Sequence, residues 1–206
     1  MSDAADGDDS TRRIAALILA AGASTRLGQP KQLLRLDGES LLRRTARVAI
    51  DSGCAPVFVV LGYAAQQMQA ELNGLPATAL INENWTEGMG SSLRCGMAAV
   101  TRSQPSPQAV LLLVCDQPRL TVEHLQTLLH RHKTGNAPIT ASFYAQRDGV
   151  PAVLAASLFP DLLACSADRG ARDLIRSHAD RVQRIPWPEG ELDLDRPQDL
   201  AKLPQE

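Results

Sequence analysis

Aromatic side chains make up only 3% of the 206-residue sequence, so nothing in it indicates a large aromatic interface with another protein. Cysteine is also scarce. The four cysteines lie far apart, without a C-x-x-C pair or a nearby pair of histidines: Cys54, Cys95, Cys115 and Cys165. This spacing argues against a zinc site and against a disulfide scaffold. We expect buried, reduced thiols in a cytoplasmic protein.

Long hydrophobic runs and a strong charge imbalance are missing as well. No segment reaches the roughly 18 to 20 apolar residues that a membrane helix needs, so we expect no membrane span. The formal net charge of −2 gives no long-range attraction for nucleic acid or an anionic membrane, and a polyanionic ligand would need local cations. The acidic start differs from a signal peptide, which predicts a disordered leader at 1–12 and a single domain over 13–206.

Short apolar runs alternate with helical patterns along most of the chain. Continuous hydrophobic runs, typical of strands covered on both faces, lie at 14–20, 56–62 and 109–115. Weaker strand patterns lie at 77–82 and 139–145. Helices are predicted at 39–53, 64–74, 91–103 and 120–133, the last with Thr121 as its N-cap. This alternation predicts an α/β three-layer αβα sandwich with a mostly parallel, Rossmann-like sheet.

The pattern becomes less regular after residue 146. Segment 147–178 is predicted to hold several short elements around turn residues, followed by a late strand at 181–187 and a proline-started helix at 193–203. Ligands of open α/β sheets bind beyond the carboxyl ends of the strands. Residues directly after the three strong strands are therefore the first candidates for a functional site.

The loop after the first strand, AAGASTRLGQPK, favours an anionic ligand. Arg26 and Lys31 add positive charge to a turn whose glycines permit positive φ. Four small residues allow close approach to backbone N–H groups that can form an anion nest: Ala20, Ala21, Gly22 and Ala23. The spacing of the glycines fits neither a Walker A loop nor the Rossmann G-x-G-x-x-G. This loop therefore argues against a nucleotide-dependent oxidoreductase. A plain strand–turn–helix loop with incidental cations stays open.

The spacing G-x3-R-x-G-x2-K in LILAAGASTRLGQPKQLL resembles the signature of nucleotidyltransferases, which join a nucleoside triphosphate to an acceptor phosphate and release pyrophosphate. The L-A-A-G form resembles cytidylyl-transferring members, whereas L-A-G-G is typical of guanylyl-transferring molybdenum cofactor enzymes. The resemblance therefore favours CTP over GTP and implies the nucleotidyltransferase (glycosyltransferase-A-like) fold. It also implies a set of nucleotide-binding residues in this loop: Leu19, Ala20, Ala21, Gly22, Ala23, Arg26 and Lys31.

Two aspartates are candidates for a metal site. Asp116 directly follows the run 109–115, and DLDRPQDL near the C-terminus resembles the family's D-x-D-T-P-E-D-L. The resemblance implies that Asp116 and Asp195 bind Mg²⁺, with Mn²⁺ as an alternative, while Asp193 is a weaker candidate. Two carboxylates brought together would repel each other unless a cation lay between them. Taken alone, Asp116 could instead cap backbone N–H groups before Pro118.

The segment NENWTEGMGSSLRCGM contains two candidate serines. Ser91 or Ser92 could cap the following helix, or could hydrogen-bond a base and ribose from its start. The family resemblance favours Ser92 as the nucleotide-binding residue, because the family's nucleotide-contacting serine precedes an aliphatic residue, here Leu93.

Two later stretches, RDGVPAVL and LFPDLLACSADRGARDLI, resemble the molybdenum cofactor cytidylyltransferase branch. The first offers a glycine turn and small apolar contacts that suit a flat pterin. The second places two arginines at a predicted helix start, where they could hold the acceptor phosphate. The implied acceptor-binding residues are Gly149, Val150, Pro151, Arg169 and Arg172. A solvated helix with an ordinary capping turn is the alternative for the arginines.

The resemblance implies transfer of CMP from CTP to the terminal phosphate of Mo-molybdopterin, giving molybdopterin cytosine dinucleotide and pyrophosphate. Catalysis would rest on positioning and electrostatics by Lys31, Arg26 and Asp116. An apo-molybdoenzyme of the xanthine dehydrogenase type is an implied partner for the product. Two alternatives stay open: a nucleotidyltransferase acting on a sugar or alditol phosphate, and a non-catalytic chaperone that delivers finished cofactor to an apo-oxidoreductase.

Overall fold

The structure of the chain is a computed structural model in which residues 13–167, 170–194 and 198–199 are described. The predicted leader at 1–12 lies outside these ranges. So do Arg169 and Asp195, which are two of the predicted site residues, and most of the predicted helix at 193–203.

A seven-stranded sheet forms the centre of the fold, beside a short two-stranded hairpin. In chain order the strands are β1 (Ile14–Ala20), β2 (Arg35–Leu36), β3 (Glu39–Ser40), β4 (Val57–Leu61), β5 (Thr78–Ile81), β6 (Ala109–Val114), β7 (Ile139–Tyr144), β8 (Arg147–Ala155) and β9 (Val182–Pro186). The order in the large sheet is β5-β4-β1-β6-β8-β7-β9, and β2 pairs with β3. All five predicted strands of the first 145 residues are present, as is the late strand.

Helices cover both faces of the large sheet. They are α1 (Leu41–Asp51), α2 (Ala65–Glu71), α3 (Met89–Arg102), α4 (Val122–Thr134), α5 (Phe159–Leu163) and α6 (Ala171–Ser177). Alternate residues of β1 point to opposite faces: Ala16 and Ile18 pack in one core with α1, α2 and α4. Ala15 and Leu17 pack in the other core with α3, α5 and α6. The predicted three-layer αβα architecture is confirmed.

The sheet is mostly parallel, as predicted, with one antiparallel strand. β1 runs parallel to β4 and β6, whereas β8 runs antiparallel to both of its neighbours, β6 and β7. β8 follows β7 through a two-residue turn in which Ala145 and Gln146 both have positive φ, the geometry of a tight hairpin. Segment 147–178 does hold short helical elements such as α5 and α6, as predicted, but the nine-residue strand β8 was not predicted. Gly149 and Pro151 discourage a strand assignment, and Ala-Gln is not a typical hairpin turn.

The starts of two helices show which sequence signals were reliable. The Thr121 hydroxyl accepts a hydrogen bond from the His124 backbone N–H at 3.3 Å and caps α4, as predicted. The helix predicted from residue 39 begins two residues later, because Glu39 and Ser40 pair with β2. Ser40 then caps α1 by accepting from the Arg43 N–H at 3.2 Å.

All four cysteines lie in the described ranges, and none of them forms a disulfide bond. Cys54 and Cys115 are buried, as predicted, and burial raises their thiol pKa values to about 11 and about 12. Cys95 and Cys165 are half-buried, which is more exposed than predicted. Across the described ranges, no helix combines the length and the apolar character that crossing a membrane requires.

Candidate active site

Two adjoining cavities lie beyond the carboxyl ends of β1 and β6. The first cavity, of about 310 Å³, lies against the loop after β1 and the start of α3. The second cavity, of about 410 Å³, extends toward β8 and the start of α6. Five residues line both: Leu19, Lys31, Met89, Val114 and Asp116. The strand ends thus form one continuous site with two compartments, where ligands of open α/β sheets bind.

Lys31 and Asp116 form an ion pair where the two cavities meet. The Lys31 ammonium lies 2.7 Å from Asp116 Oδ2, and the side chains are only 21% and 18% exposed. The other carboxylate oxygen, Oδ1, is buried and has no hydrogen-bond partner among the described residues. The Asp116 carboxylate therefore does not act as the backbone cap considered from the sequence. A buried oxygen without a partner fits a metal ligand, because Mg²⁺ and Mn²⁺ bind carboxylate oxygens.

Gln32, which was not predicted as a site residue, holds the loop after β1 in place. It is buried, and its Nε2 donates to the carbonyl oxygens of Ala20 at 3.0 Å and Gly22 at 2.8 Å. In a trans peptide bond, the C=O of one residue and the N–H of the next residue point in opposite directions. The amides of Ala21 and Ala23 therefore face away from Gln32. This geometry supports the predicted anion nest, although no sequence signal distinguishes Gln32 from an exposed glutamine.

The structure places most of the predicted nucleotide-binding residues together. Five of them line the first cavity: Leu19, Ala21, Gly22, Lys31 and Ser92. Ala20 is buried and contributes its carbonyl to Gln32, and Ala23 lies in the same loop. Arg26 is exposed and lines neither cavity, so its role as a phosphate-binding residue stays a prediction.

The two candidate serines lie within the first turn of α3. This helix begins at Met89, and its N-cap residue is Gly88, so the interpretation of either serine as the cap is wrong. Both hydroxyl oxygens accept hydrogen bonds from Asn82 Nδ2, at 2.9 Å for Ser91 and 3.0 Å for Ser92. Only Ser92 lines the first cavity. Asn82 was not predicted as a site residue.

The predicted acceptor residues divide into two groups. Val150 and Arg172 line the second cavity. Gly149 packs against Tyr144, whose hydroxyl would lie 2.6 Å from an added Cβ, and the Pro151 carbonyl accepts from Ser142 Oγ at 2.8 Å. The predicted glycine turn is wrong, because Gly149 lies within β8. The fifth residue of the set, Arg169, is outside the described ranges.

A hydrogen-bonded group lines the second cavity near β8. The Val150 carbonyl accepts from Tyr144 Oη at 2.9 Å and from Gln117 Nε2 at 3.0 Å. Burial and the neighbouring Asp193 carboxylate raise the pKa of Tyr144, so its hydroxyl stays protonated as a donor. Arg172 opposes this shift.

The C-terminal segment approaches Asp116 through its backbone. The N–H of Leu194 donates to the Asp116 carbonyl oxygen at 3.0 Å, and Asp193 lines the second cavity. Within the described part of the chain, no three His, Cys, Asp or Glu side chains cluster closely enough to hold a metal ion. The predicted second ligand, Asp195, lies outside that part.

His124 supports the wall of the second cavity from behind. Its ring stacks on Trp187 at a centroid distance of 4.6 Å, and Trp187 contacts the Tyr144 ring edge-on. Ser142 donates its hydroxyl hydrogen to Pro151, so His124 Nε2 must carry the hydrogen shared with Ser142 Oγ at 2.8 Å. Burial lowers the pKa of His124 to about 4.

Replacing Gln32 with glutamate tests the support of the loop. We expect Gln32→Glu to lower the free energy of unfolding by about 1–3 kcal/mol, because an ionised carboxylate cannot donate to the two loop carbonyls. Urea denaturation measures the change. Gln66→Glu, on the exposed surface of α2, is the matched control and should stay close to the wild type. Equal stability of the two variants would contradict the role given to Gln32.

The lowered pKa of His124 predicts a pH-dependent stability. The unfolded chain binds a proton at His124 near pH 6.5, whereas the folded chain resists protonation until about pH 4. Burial of the neutral His124 ring therefore contributes to the free energy of unfolding above about pH 6.5, and this contribution is lost as the pH falls from 6.5 toward 4. We expect urea midpoints measured from pH 7 to pH 4 to fall less steeply for His124→Gln than for the wild type. As a control, His130→Gln at an exposed position should show the wild-type dependence of the urea midpoint on pH. If His124→Gln also shows the wild-type dependence, the pKa of His124 is not the cause of the pH-dependent stability.

The comparisons with known proteins agree with this architecture. The sequence matches the family described as MobA-like NTP transferase domain over residues 16–182. Nicotine blue oxidoreductase from Paenarthrobacter nicotinovorans is 35% identical over 179 residues, covering 82% of this chain and 85% of that protein. A probable molybdenum cofactor guanylyltransferase from Trichormus variabilis is 28% identical over 205 residues, covering 92% of this chain and 90% of that protein.

The solved structures show the same fold. The crystal structure of Rv0371c from Mycobacterium tuberculosis H37Rv has a TM-score of 0.79 at 28% identity, covering 93% of this chain and 97% of that one. A structure of Rv0371c in complex with manganese gives a TM-score of 0.76 at 27% identity over the same shares. The predicted nucleotidyltransferase fold is confirmed, and the chain belongs to the MobA-like NTP transferase domain family.

Proposed function

We propose that the chain transfers CMP from CTP to the terminal phosphate of Mo-molybdopterin, releasing pyrophosphate and forming molybdopterin cytosine dinucleotide. The observation that carries this proposal is the Lys31–Asp116 pair at the junction of the two cavities. A triphosphate in the first cavity and an acceptor phosphate in the second would meet at this pair. We place the reaction in the cytoplasm, with an apo-molybdoenzyme of the xanthine dehydrogenase type as the recipient of the product.

The first cavity suits a nucleoside triphosphate. The loop amides and the Lys31 ammonium provide positive charge beside the cavity, and Ser92 provides a hydroxyl at its other side. Ala21 lines this cavity, at the position where the L-A-G-G form typical of guanylyl-transferring enzymes has glycine. This favours a pyrimidine, although the name of the Trichormus variabilis relative makes GTP the competing nucleotide.

The second cavity suits a flat acceptor that carries a phosphate. Apolar side chains such as Met89 and Val150 line its walls, and the Arg172 guanidinium supplies a charged donor for phosphate oxygens. The Tyr144 hydroxyl lies beside Val150. This combination of apolar walls and few polar groups is typical of a site for a heterocyclic ligand.

The chain's own residues would act by positioning and charge. An oxygen of the acceptor phosphate attacks the α-phosphorus of CTP, and the bond to the pyrophosphate leaving group breaks with its electron pair. A phosphate monoester is anionic near neutral pH, so no strong general base is needed. Lys31 would leave Asp116 and contact the phosphates as they enter, and the loop amides would stabilise the developing negative charge. Arg26 is the further cation proposed to hold the triphosphate.

Asp116, with its buried Oδ1, and Asp195 are the proposed holders of a divalent cation. When bound, Mg²⁺ or Mn²⁺ would neutralise charge on the α-phosphate and the leaving group. The manganese complex of Rv0371c supports a divalent metal in a related protein.

An oxidoreductase reaction is the second candidate, because a relative with 35% identity carries the name nicotine blue oxidoreductase. The G-x-G-x-x-G loop of dinucleotide-binding enzymes is absent from this sequence. The Lys31–Asp116 pair, by contrast, has a direct use in phosphate chemistry. We therefore favour nucleotidyl transfer.

One assay separates the candidates. The purified chain with Mg²⁺ receives CTP, GTP or UTP together with Mo-molybdopterin, or with a sugar or alditol phosphate, and pyrophosphate release is followed. We expect release with CTP and Mo-molybdopterin, and its loss when the metal is chelated. In a parallel mixture with added NADH or NADPH and an electron acceptor, oxidation of the nicotinamide cofactor without pyrophosphate release would favour the oxidoreductase. Tight cofactor binding without release from any triphosphate would favour the chaperone.

Substitution of the ion pair tests the proposed roles. We expect Lys31→Ala and Asp116→Ala each to lower turnover by about 10²–10³-fold, the usual effect of losing one transition-state contact. The double variant removes both charges, so it should unfold at a urea concentration close to that of the wild type and still be inactive. Arg47→Ala, which removes the surface ion pairs of Arg47 with Glu39 and Asp51, is the activity control. Wild-type turnover in folded Asp116→Ala would exclude the metal role.

A further inference from the structure

Asn82 is a buried amide at the end of β5. Its backbone N–H donates to the Leu61 carbonyl at 2.8 Å, which fixes the residue against β4. Its side-chain Oδ1 accepts from the backbone N–H of Asn84 at 3.1 Å. Because a backbone N–H can only donate, this contact identifies the oxygen of the amide and fixes Nδ2 on the opposite side.

The fixed amide determines the roles of two hydroxyl groups. Nδ2 donates one hydrogen to Ser91 Oγ and the other to Ser92 Oγ. Each hydroxyl oxygen is an acceptor in these bonds, so each must direct its own hydrogen elsewhere. Ser91 can donate to the carbonyls of Gly88 and Asn84, both at 2.9 Å. For the Ser92 hydrogen, the described residues offer no acceptor, and Ser92 lines the first cavity.

We propose that Asn82 is a positioning residue that makes the Ser92 hydroxyl a hydrogen-bond donor toward the base of the bound nucleotide. The inference rests on the proposed function and specifies that, in the contact with the base, Ser92 donates the hydrogen bond and the base accepts it. The matching ligand atom is a carbonyl oxygen or a ring nitrogen with a free lone pair. On its Watson–Crick edge cytosine carries two such atoms side by side, O2 and N3, whereas on the same edge guanine has N1–H beside O6 and uracil has N3–H between its two carbonyl oxygens.

An isosteric substitution reverses this polarity. In Asn82→Asp the carboxylate can still accept from the Asn84 N–H, but it can only accept from the two serines. Ser92 would then donate to the introduced carboxylate and present lone pairs to the cavity. We expect at least about a tenfold loss of CTP affinity in calorimetric titrations, the equivalent of one hydrogen bond. The preference for CTP over UTP and GTP should fall with it.

Inorganic tripolyphosphate is the probe that separates base recognition from phosphate binding. We expect the affinity for tripolyphosphate to be the same in Asn82→Asp and the wild type, because the loop after β1 is unchanged. Equal losses for CTP and tripolyphosphate would show a general electrostatic or structural effect and overturn the inference.

A pair of serine variants keeps the inference testable if Asn82→Asp does not fold. Ser92→Ala should lose about tenfold in CTP affinity, and Ser91→Ala should stay within about twofold of the wild type, since Ser91 does not line the cavity. If Ser92→Ala kept its base selectivity, or if Ser91→Ala lost as much CTP affinity as Ser92→Ala, the inference would be wrong while the proposed function would stand. A wild type that binds no nucleoside triphosphate would overturn the proposed function and the inference with it.

Discussion

The ion pair between Lys31 and Asp116 joins the loop after β1 to the end of β6, at the point where two cavities meet. Both charges are largely shielded from water, so their attraction is stronger than that of a surface pair. The pair also leaves one buried carboxylate oxygen without a partner among the described residues. Such a site is suited to a polyanionic ligand. On binding, the phosphates would contact the Lys31 ammonium, and a metal ion would bind the Asp116 carboxylate.

Two buried amides keep the surroundings of this pair in shape. Gln32 holds the carbonyls of the loop after β1, and Asn82 holds the serines at the start of α3. Both use the full donor capacity of their side chains, so the groups opposite them have defined orientations. In the proposed function, the backbone amides of the loop and the Ser92 hydroxyl would thereby be oriented toward the bound nucleotide before it arrives, which is the preorganisation that electrostatic catalysis and selective binding require.

The sequence predicted those parts of the molecule that depend on local pattern. β1, β4 and β6 are continuous apolar runs, and Lys31 and Asp116 follow two of them, so their position at the sheet edge could be inferred. β8 could not, because its antiparallel pairing with β6 and β7 outweighs the local effect of Gly149 and Pro151. Gln32 and Asn82 are ordinary polar residues in the sequence, and their roles arise only when distant segments bring carbonyl and hydroxyl groups to them.

A crystal structure of the chain with CTP and Mg²⁺ tests the central claim most directly. The account predicts the triphosphate against the backbone amides of Ala21 to Ala23, with the Lys31 ammonium moved from Asp116 to a phosphate oxygen. It also predicts the metal on the Asp116 carboxylate and the base within reach of Ser92. A triphosphate bound away from this loop, with the Lys31–Asp116 pair still closed, would contradict it.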